Sequence, residues 1–431
     1  MIDVTEQILG LQPFPLLQRD PGTNSTLVNF KEALNQRDGI ENPSAPLFNK
    51  SSLDGLDIKY IKFNNWKVDP SDVGKIYALD RQAETTRLFF VWVPQHLSSE
   101  IQSGKIDQPL NFHLLFHPPT YESCYLNTKP YWNGKCKDWR GEGCDPSMQD
   151  QPLYVKLGLR YLYQDFRVIA HHLMAAPFII PNLIYVVPVS DNTNFKDLIQ
   201  PSKMLDVFRE ISEFLLKKQT ISTQVGKVII SVYSRSGDRL EKMMLSRSTN
   251  SDFFRKHLSQ INAFDINLGS KSEERLTKFK VLWEELLNWK SKANSEARIQ
   301  IYTAYRDHAD HILNFSGTQK LLFVNRNSVN FDETTWSDES LKGKGHPRRG
   351  VGIEAYNADS SVSLVHIPVT FFEEYITNNG EPVGNALAGY RHKKFGHPHG
   401  HGWFLRTLMS HALRVCASGI YLQRPLPVKP H

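Results

Sequence analysis

The second half of the chain alternates two hydrophobic periods, and this limits its folds more than any other feature. NLIYVVPVS (182–190) is a short unbroken apolar run, whereas MLDVFREISEFLLKKQ (204–219) repeats apolar residues at Leu205, Phe208, Ile211 and Leu215, the spacing of one helix face. GKVIISVYS is again a β-branched run and DRLEKMMLS is again helical; INAFDINLG, SEERLTKFKVLWEELLNWKSKA and ARIQIYTAYRD repeat the cycle. Unbroken apolar strands must be covered on both sides, and strands separated by helices pair in parallel. The expectation is an α/β fold with a mostly parallel central sheet and helices on both faces.

The flanks complete this plan. KIYALDR and TRLFFVWVP, joined by QAETT, predict an N-terminal β-hairpin, after a further strand-like run IKYIKFNN. FHLLFHPP (112–119) predicts a short buried strand, and LYVKLGLRYLYQDFRVIAHHLM a helix. SVSLVHIPV reads as the last strand and GWFLRTLMSHALRV as the last helix. Residues 1–55 show little periodicity and are taken as an irregular arm; 56–431 are taken as a single domain with insertions at 120–150 and 316–362. With 40% hydrophobic residues the chain has material for a sizeable core.

Charge and hydropathy exclude several classes. A net charge of +6 over 431 residues is too weak and dispersed for a nucleic-acid partner. The most apolar stretch, Leu173 to Val189, is broken by Pro177, Pro181 and Pro188, so no transmembrane segment is expected. The first twenty residues carry acids and two prolines where a secretory signal needs bases and an apolar run. The expectation is a cytoplasmic protein, or one exported without a cleavable signal peptide.

In VIISVYSRSGDRLEKMMLS (228–246) an apolar strand stops at Tyr233 and a helical pattern starts almost at once. Ligands of open parallel sheets bind at the carboxyl ends of the strands, where Ser234 stands. A sharp strand-to-helix turn would lift its hydroxyl above the sheet and aim the N–H of Arg235 at a developing oxyanion. Such a turn needs small residues two positions either side. Ser236 is small and Gly237 helps, but Val232 is not small. A helix N-cap is the competing role for Ser234. Ser236 is the weaker nucleophile, because Asp238 would then occupy a position that should be small.

From residue 75 to 415 the chain resembles the α/β-hydrolase family, chiefly in element order. A hairpin is followed by a strand ending in FHPPT, where that family keeps its oxyanion loop, and then by the elbow VYSRSG and a late histidine. It departs from the family at the glycines of the elbow, replaced by Val232 and Ser236, and at Pro118 and Pro119, which lack N–H groups. A second oxyanion donor would therefore come from Thr120 or its neighbours His117 and Tyr121. The resemblance implies an acid after one of the next two strands: Asp265, flanked by apolar residues, is preferred to Asp307, with Asp310 further out. It also implies a histidine in GHPHGHGWFLRTLMSHAL, with His399 first, His397 second and His401 third. His171 and His172 are read as structural, and His113 and His366 as facing the core.

Alternative chemistries are weighed against this triad. Alternation of His397, His399 and His401 also suits a metal ligand set, and Cys124, Cys136 and Cys144 with His117 would suit zinc, but no C-x-x-C pair supports the second. The loop 120–150 is rich in aromatic residues, and Tyr121, Tyr125 and Trp132 suit a lid or platform for an acyl ester; a plain surface insertion explains them almost as well. KGKGHPRRG (342–350) lacks the strand–loop–helix setting of a phosphate loop and reads as a solvated charged loop. The function expected is a serine esterase or lipase-like hydrolase, working through an acyl-enzyme without a cofactor. The alternative is a non-catalytic binding or effector protein on a degenerate hydrolase scaffold.

Overall fold

The computed structural model describes residues 1–5, 14–15, 27–28, 73–81, 86, 88–118, 161–162, 168–175, 182–189, 195–217, 225–246, 251–269, 271–313, 321–324, 353–357, 361–366, 377–378 and 381–382, and three helical pairs at 404–405, 408–409 and 412–413. They fall into two compact units. The first comprises Met1–Ser51, Asn65–Ala170 and Pro181–Gly226, and the second Ser52–Asn64, His171–Ile180 and Lys227–His431.

In the first unit the strands are β1 (Ile2–Asp3), β2 (Lys75–Asp80), β3 (Leu88–Val93), β4 (Leu110–Phe116) and β5 (Leu183–Val189), laid side by side as β1-β2-β3-β5-β4. The hairpin β2–β3 is antiparallel with Asp80 opposite Leu88, as QAETT suggests, and β5 pairs antiparallel with β3 but parallel with β4. The start of the chain is not wholly irregular, because Ile2 and Asp3 pair with Ala78 and Tyr77. Pro188 sits opposite Phe89, beyond the stretch where β5 pairs with β4, so its missing N–H interrupts no bond on that side. Helix α1 spans Gln95–Gln102 and α3 Pro201–Leu216; α2 (Val168–Ala175) belongs to this unit as far as Ala170 and to the second from His171. Pro201 opens α3 at a position where its absent N–H is harmless, and Lys217 closes it in the left-handed region. Its buried face carries Met204, Val207, Phe208, Ile211 and Leu215, with the Phe208 ring stacked on Phe112 at 4.5 Å.

The second unit holds the longer parallel run. Strand β6 (Val225–Tyr233), which enters from the end of the first unit, pairs parallel with β7 (Leu258–Phe264); β7 pairs parallel with β8 (Arg298–Thr303), and β8 with β11 (Val362–His366). Two strands from the stretch read as an insertion, β9 (Leu321–Val324) and β10 (Ile353–Asn357), extend this sheet antiparallel as β11-β10-β9. Helices α4 (Gly237–Leu245), α5 (Ser272–Lys292) and α6 (Arg306–Leu313) alternate with the parallel strands. From Ile229 to Tyr233 and from Gln260 to Phe264 every residue is buried. Since successive side chains point to opposite faces, the strands are covered on both sides. The architecture is α/β with a mostly parallel sheet. Phe404, Leu405, Leu408, Met409, Ala412 and Leu413, all helical, are fully buried, within the stretch GWFLRTLMSHALRV read from the sequence as the last helix. No helix among the described residues is long and apolar enough to cross a membrane.

One row through this sheet is polar. The register aligns Ser231, Asn262, Gln300 and Ser363 across β6, β7, β8 and β11, and all four are buried. The Asn262 amide donates to the Ser231 hydroxyl at 3.1 Å, and Tyr302 Oη donates to Gln300 Oε1 at 2.8 Å. Gln260 Nε2 donates to Asn262 Oδ1 at 2.6 Å and to the Ala412 carbonyl at 3.0 Å, which ties the last helical segment to β7.

Candidate active site

The carboxyl ends of the same four strands carry a second row. Thr303 is opposite His366; Tyr302 is opposite Phe264 and Phe264 opposite Tyr233. Directly after the paired residues come Ser234 and Asp265: Asp265 bonds the Tyr302 carbonyl and the Ala304 N–H just past Thr303, and Asn267 N–H bonds the Ser234 carbonyl. A serine, a carboxylate, a threonine and a histidine thus line up at the end where parallel sheets bind ligands.

Ser234 leaves β6 through a single tight turn, Ser234–Ser236, that runs straight into α4. Tyr233 is still extended, and Ser234 itself has φ +59°. Left-handed backbone costs a non-glycine residue roughly 1–2 kcal/mol and persists only where the surroundings impose it. Two contacts impose it here. The Ser236 hydroxyl accepts from Tyr233 N–H at 2.7 Å and donates to the Tyr233 carbonyl at 2.8 Å, closing the turn on itself. Asn267 N–H donates to the Ser234 carbonyl at 3.0 Å.

This separates the two serines. The hydroxyl of Ser236 is consumed by the backbone it stabilises. That of Ser234, on a residue only 5% exposed, has no hydrogen-bond partner among the described residues and caps no helix. From the sequence Ser236 stands out only as a small residue and a weaker candidate nucleophile; its bond to the Tyr233 backbone is visible only in the folded turn.

Gly237 explains how α4 can start so close to the sheet. A Cβ placed there would lie 2.8 Å from Ile266 Cβ and 2.9 Å from Leu268 Cδ2, inside van der Waals contact. Gly237→Ala is therefore expected to destabilise the fold by about 1–3 kcal/mol, read as a lower midpoint in urea unfolding. An unchanged midpoint would mean that the 266–268 segment yields freely.

Asp265 follows β7 directly and also adopts positive φ, +44°; it and Ser234 are two of the four such non-glycine residues among those described. Its side chain is fully buried, and its Oδ1 accepts from Ala304 N–H at 2.8 Å, while its own N–H donates to the Tyr302 carbonyl at 2.6 Å. Asp307 is placed differently. It lies in the first turn of α6, where Oδ1 accepts from His308 N–H at 2.9 Å and Oδ2 pairs with Arg275 at 3.2 Å. The Arg275 guanidinium also lies over the Tyr305 ring at 4.1 Å. Asp310 pairs with Arg306 on the same helix.

His366 ends β11, with 1% of its surface exposed. Its Nδ1 lies 3.0 Å from the Thr303 carbonyl; since a carbonyl only accepts, Nδ1 carries the proton. Burial pushes its pKa down to about 4, with Arg306 adding to the effect and the Thr303 bond and Asp265 opposing it, so the ring is neutral at pH 7. Three strand spacings separate it from Ser234, about 14 Å at roughly 4.8 Å each, which is beyond direct reach of the serine hydroxyl. His308 is also buried and stacks on Phe279 at 3.9 Å; burial, then Arg275, hold its pKa well below the usual histidine range. Burial and the nearby Asp265 charge raise the pKa of Tyr305, so it stays a protonated phenol.

Other residues proposed from the sequence lie elsewhere. His117 is in the first unit, buried, with Nδ1–H donating to the Pro118 carbonyl at 2.7 Å and its ring stacked on Tyr161. His113, His171 and His172 are buried as expected. Thr120, Tyr121, Tyr125, Trp132, the three clustered cysteines, the basic run 342–350 and His397, His399 and His401 lie outside the described residues.

No protein-family model matches this chain, and no curated protein matches it. It is similar to the solved structure of an S-formylglutathione hydrolase from Staphylococcus aureus, in its apoenzyme form, at 13% identity and a TM-score of 0.28, over 55% of this chain and 81% of that one.

Proposed function

We propose that the chain is a serine hydrolase that cleaves a carboxylic ester through an acyl-enzyme. The observation that carries this reading is the contrast at the turn after β6: Ser234 is held at φ +59° with its hydroxyl unengaged among the described residues, while Ser236 spends its hydroxyl holding the turn. Strain of this kind at a strand-to-helix turn is what presents a nucleophile.

In the proposed cycle Ser234 Oγ attacks the ester carbonyl as His399 takes its proton. The backbone N–H groups of Arg235 and Thr120 bind the oxyanion. The tetrahedral intermediate then expels the alcohol, which leaves with the proton that His399 returns. Water, activated by the same histidine, releases the carboxylic acid and frees Ser234. Asp265 holds the imidazole, and Tyr121, Tyr125 and Trp132 contact the acyl or alcohol part. His397, His401 and Asp307 are the substitutes for base and acid. No cofactor enters the cycle.

The test is treatment of the purified protein with a fluorophosphonate, mapped by mass spectrometry. An adduct on Ser234 that persists in Ser236→Ala is the expected result. Folded protein that takes no adduct overturns the hydrolase reading and favours a binding or effector protein on the same scaffold.

A further inference from the structure

Resting on that reading, we infer that His366 is a positioning residue for the acid: it braces the Thr303–Tyr305 turn whose backbone amide holds the Asp265 carboxylate. The proton cycle above uses the histidine at the end of β11 nowhere, yet it sits in the same row as Ser234 and Asp265.

The turn between β8 and α6 has three polar contacts in three residues. The Thr303 carbonyl accepts from His366 Nδ1–H at 3.0 Å, Ala304 N–H donates to Asp265 Oδ1 at 2.8 Å, and Tyr305 N–H donates to Thr303 Oγ at 2.9 Å. The carbonyl held by His366 and the N–H that binds Asp265 belong to one peptide unit, Thr303–Ala304. That unit is planar, so the orientation of its carbonyl fixes the orientation of its N–H. Pulling the carbonyl toward β11 aims the amide the opposite way, toward β7, where Asp265 stands. His366 therefore acts on Asp265 through a single rigid plate.

Everything around this plate is buried. Thr303 and Asp265 have no exposed surface, and Ala304 has 9%. Water has little access to replace the histidine as the carbonyl's partner. A carboxylate that orients a base must be placed closely, because misplacement of a catalytic group by about 1 Å costs on the order of a hundredfold in rate.

Two substitutions separate this role from direct catalysis and from packing. In His366→Asn the amide nitrogen takes the place of Nδ1 and can still donate to the Thr303 carbonyl. In His366→Gln the amide stands one bond further out, near the place of Nε2, although its volume is closer to that of histidine. The measurement is the rate of fluorophosphonate labelling at Ser234, resolved into the inactivation rate and the apparent affinity for the reagent.

The expected result is a His366→Asn rate within about threefold of wild type and a His366→Gln rate lower by about 10- to 100-fold, with apparent affinity unchanged in both. If both variants lose labelling equally, His366 acts by some route other than its Nδ1–H, and the inference is overturned. If both label like wild type, or if Gln is the better tolerated, it is overturned as well. Wild-type protein that takes no adduct removes the hydrolase reading and this inference with it, whereas labelled wild type with two indistinguishable variants removes only the inference. Should His366→Gln fail to fold, hydrogen exchange at the Ala304 amide in His366→Asn decides: wild-type protection supports the brace and lost protection overturns it.

Discussion

Ser234→Ala is expected to lower hydrolysis of p-nitrophenyl acetate by about a thousandfold or more, the scale on which serine hydrolases respond to loss of the nucleophile. The fold should not register the change. The Ser234 hydroxyl has no partner among the described residues, and alanine keeps the Cβ responsible for the strain at φ +59°. Ser234→Gly carries the argument further. It removes that Cβ and is expected to be equally inactive but more stable, by about 1 kcal/mol, since glycine populates this region freely. Steady-state rates and urea unfolding of the two variants together test the claim. A Ser234→Gly protein no more stable than Ser234→Ala would show that the turn is unstrained; activity surviving in either variant would remove Ser234 from the chemistry.

Asp265→Asn is expected to cut kcat for the same ester by about 10²- to 10⁴-fold with little change in KM, because the amide cannot stabilise a charged imidazole and favours the wrong tautomer. Folding should survive, since the asparagine oxygen can still accept from Ala304 N–H, the bond that Asp265 Oδ1 now makes. Asp265→Leu would strand that buried donor and lose about 1–3 kcal/mol besides. Asp307→Asn is the comparison. Its carboxylate is engaged by Arg275 and by its own helix, so the rate should stay within about threefold of wild type. Should Asp307→Asn lose the rate and Asp265→Asn keep it, the acid of the triad is Asp307.

Ser234 and Asp265 could be picked out of the sequence as strand-end residues for a physical reason. Both follow directly on unbroken apolar runs, and a change from apolar to polar at the end of a buried strand marks the edge of a parallel sheet. The same signal also pointed to Asp307, but β8 ends at Thr303 and Asp307 already lies in the first turn of α6. On α3 the period and the face were right at Phe208, Ile211 and Leu215, and only the first position was off: Met204 is buried, while its neighbour Leu205 is half-buried. Strands β9 and β10 were not legible, since LLFV and IEAYN are four and five residues long and are separated by a long polar stretch. Nothing in SVSLVHIPV distinguishes His366 from a core histidine either. Its special position comes from pairing with Thr303, some sixty residues earlier in the chain, and no local pattern carries that information.

The polar row beneath the site has a consequence for how the chain assembles. Valine, isoleucine and leucine are nearly interchangeable neighbours, so a wholly apolar sheet interior gives little penalty for threading a strand one residue out of line. Here a slip of β6 by one residue would turn Ser231 to the opposite face and put Ile230 or Val232 beside Asn262, taking from the buried Asn262 amide its hydroxyl partner at about 1–3 kcal/mol. The row thus works as an alignment key. The same registers bring Tyr233, Phe264, Tyr302 and, one strand on, Thr303 and His366 to the carboxyl end of the sheet.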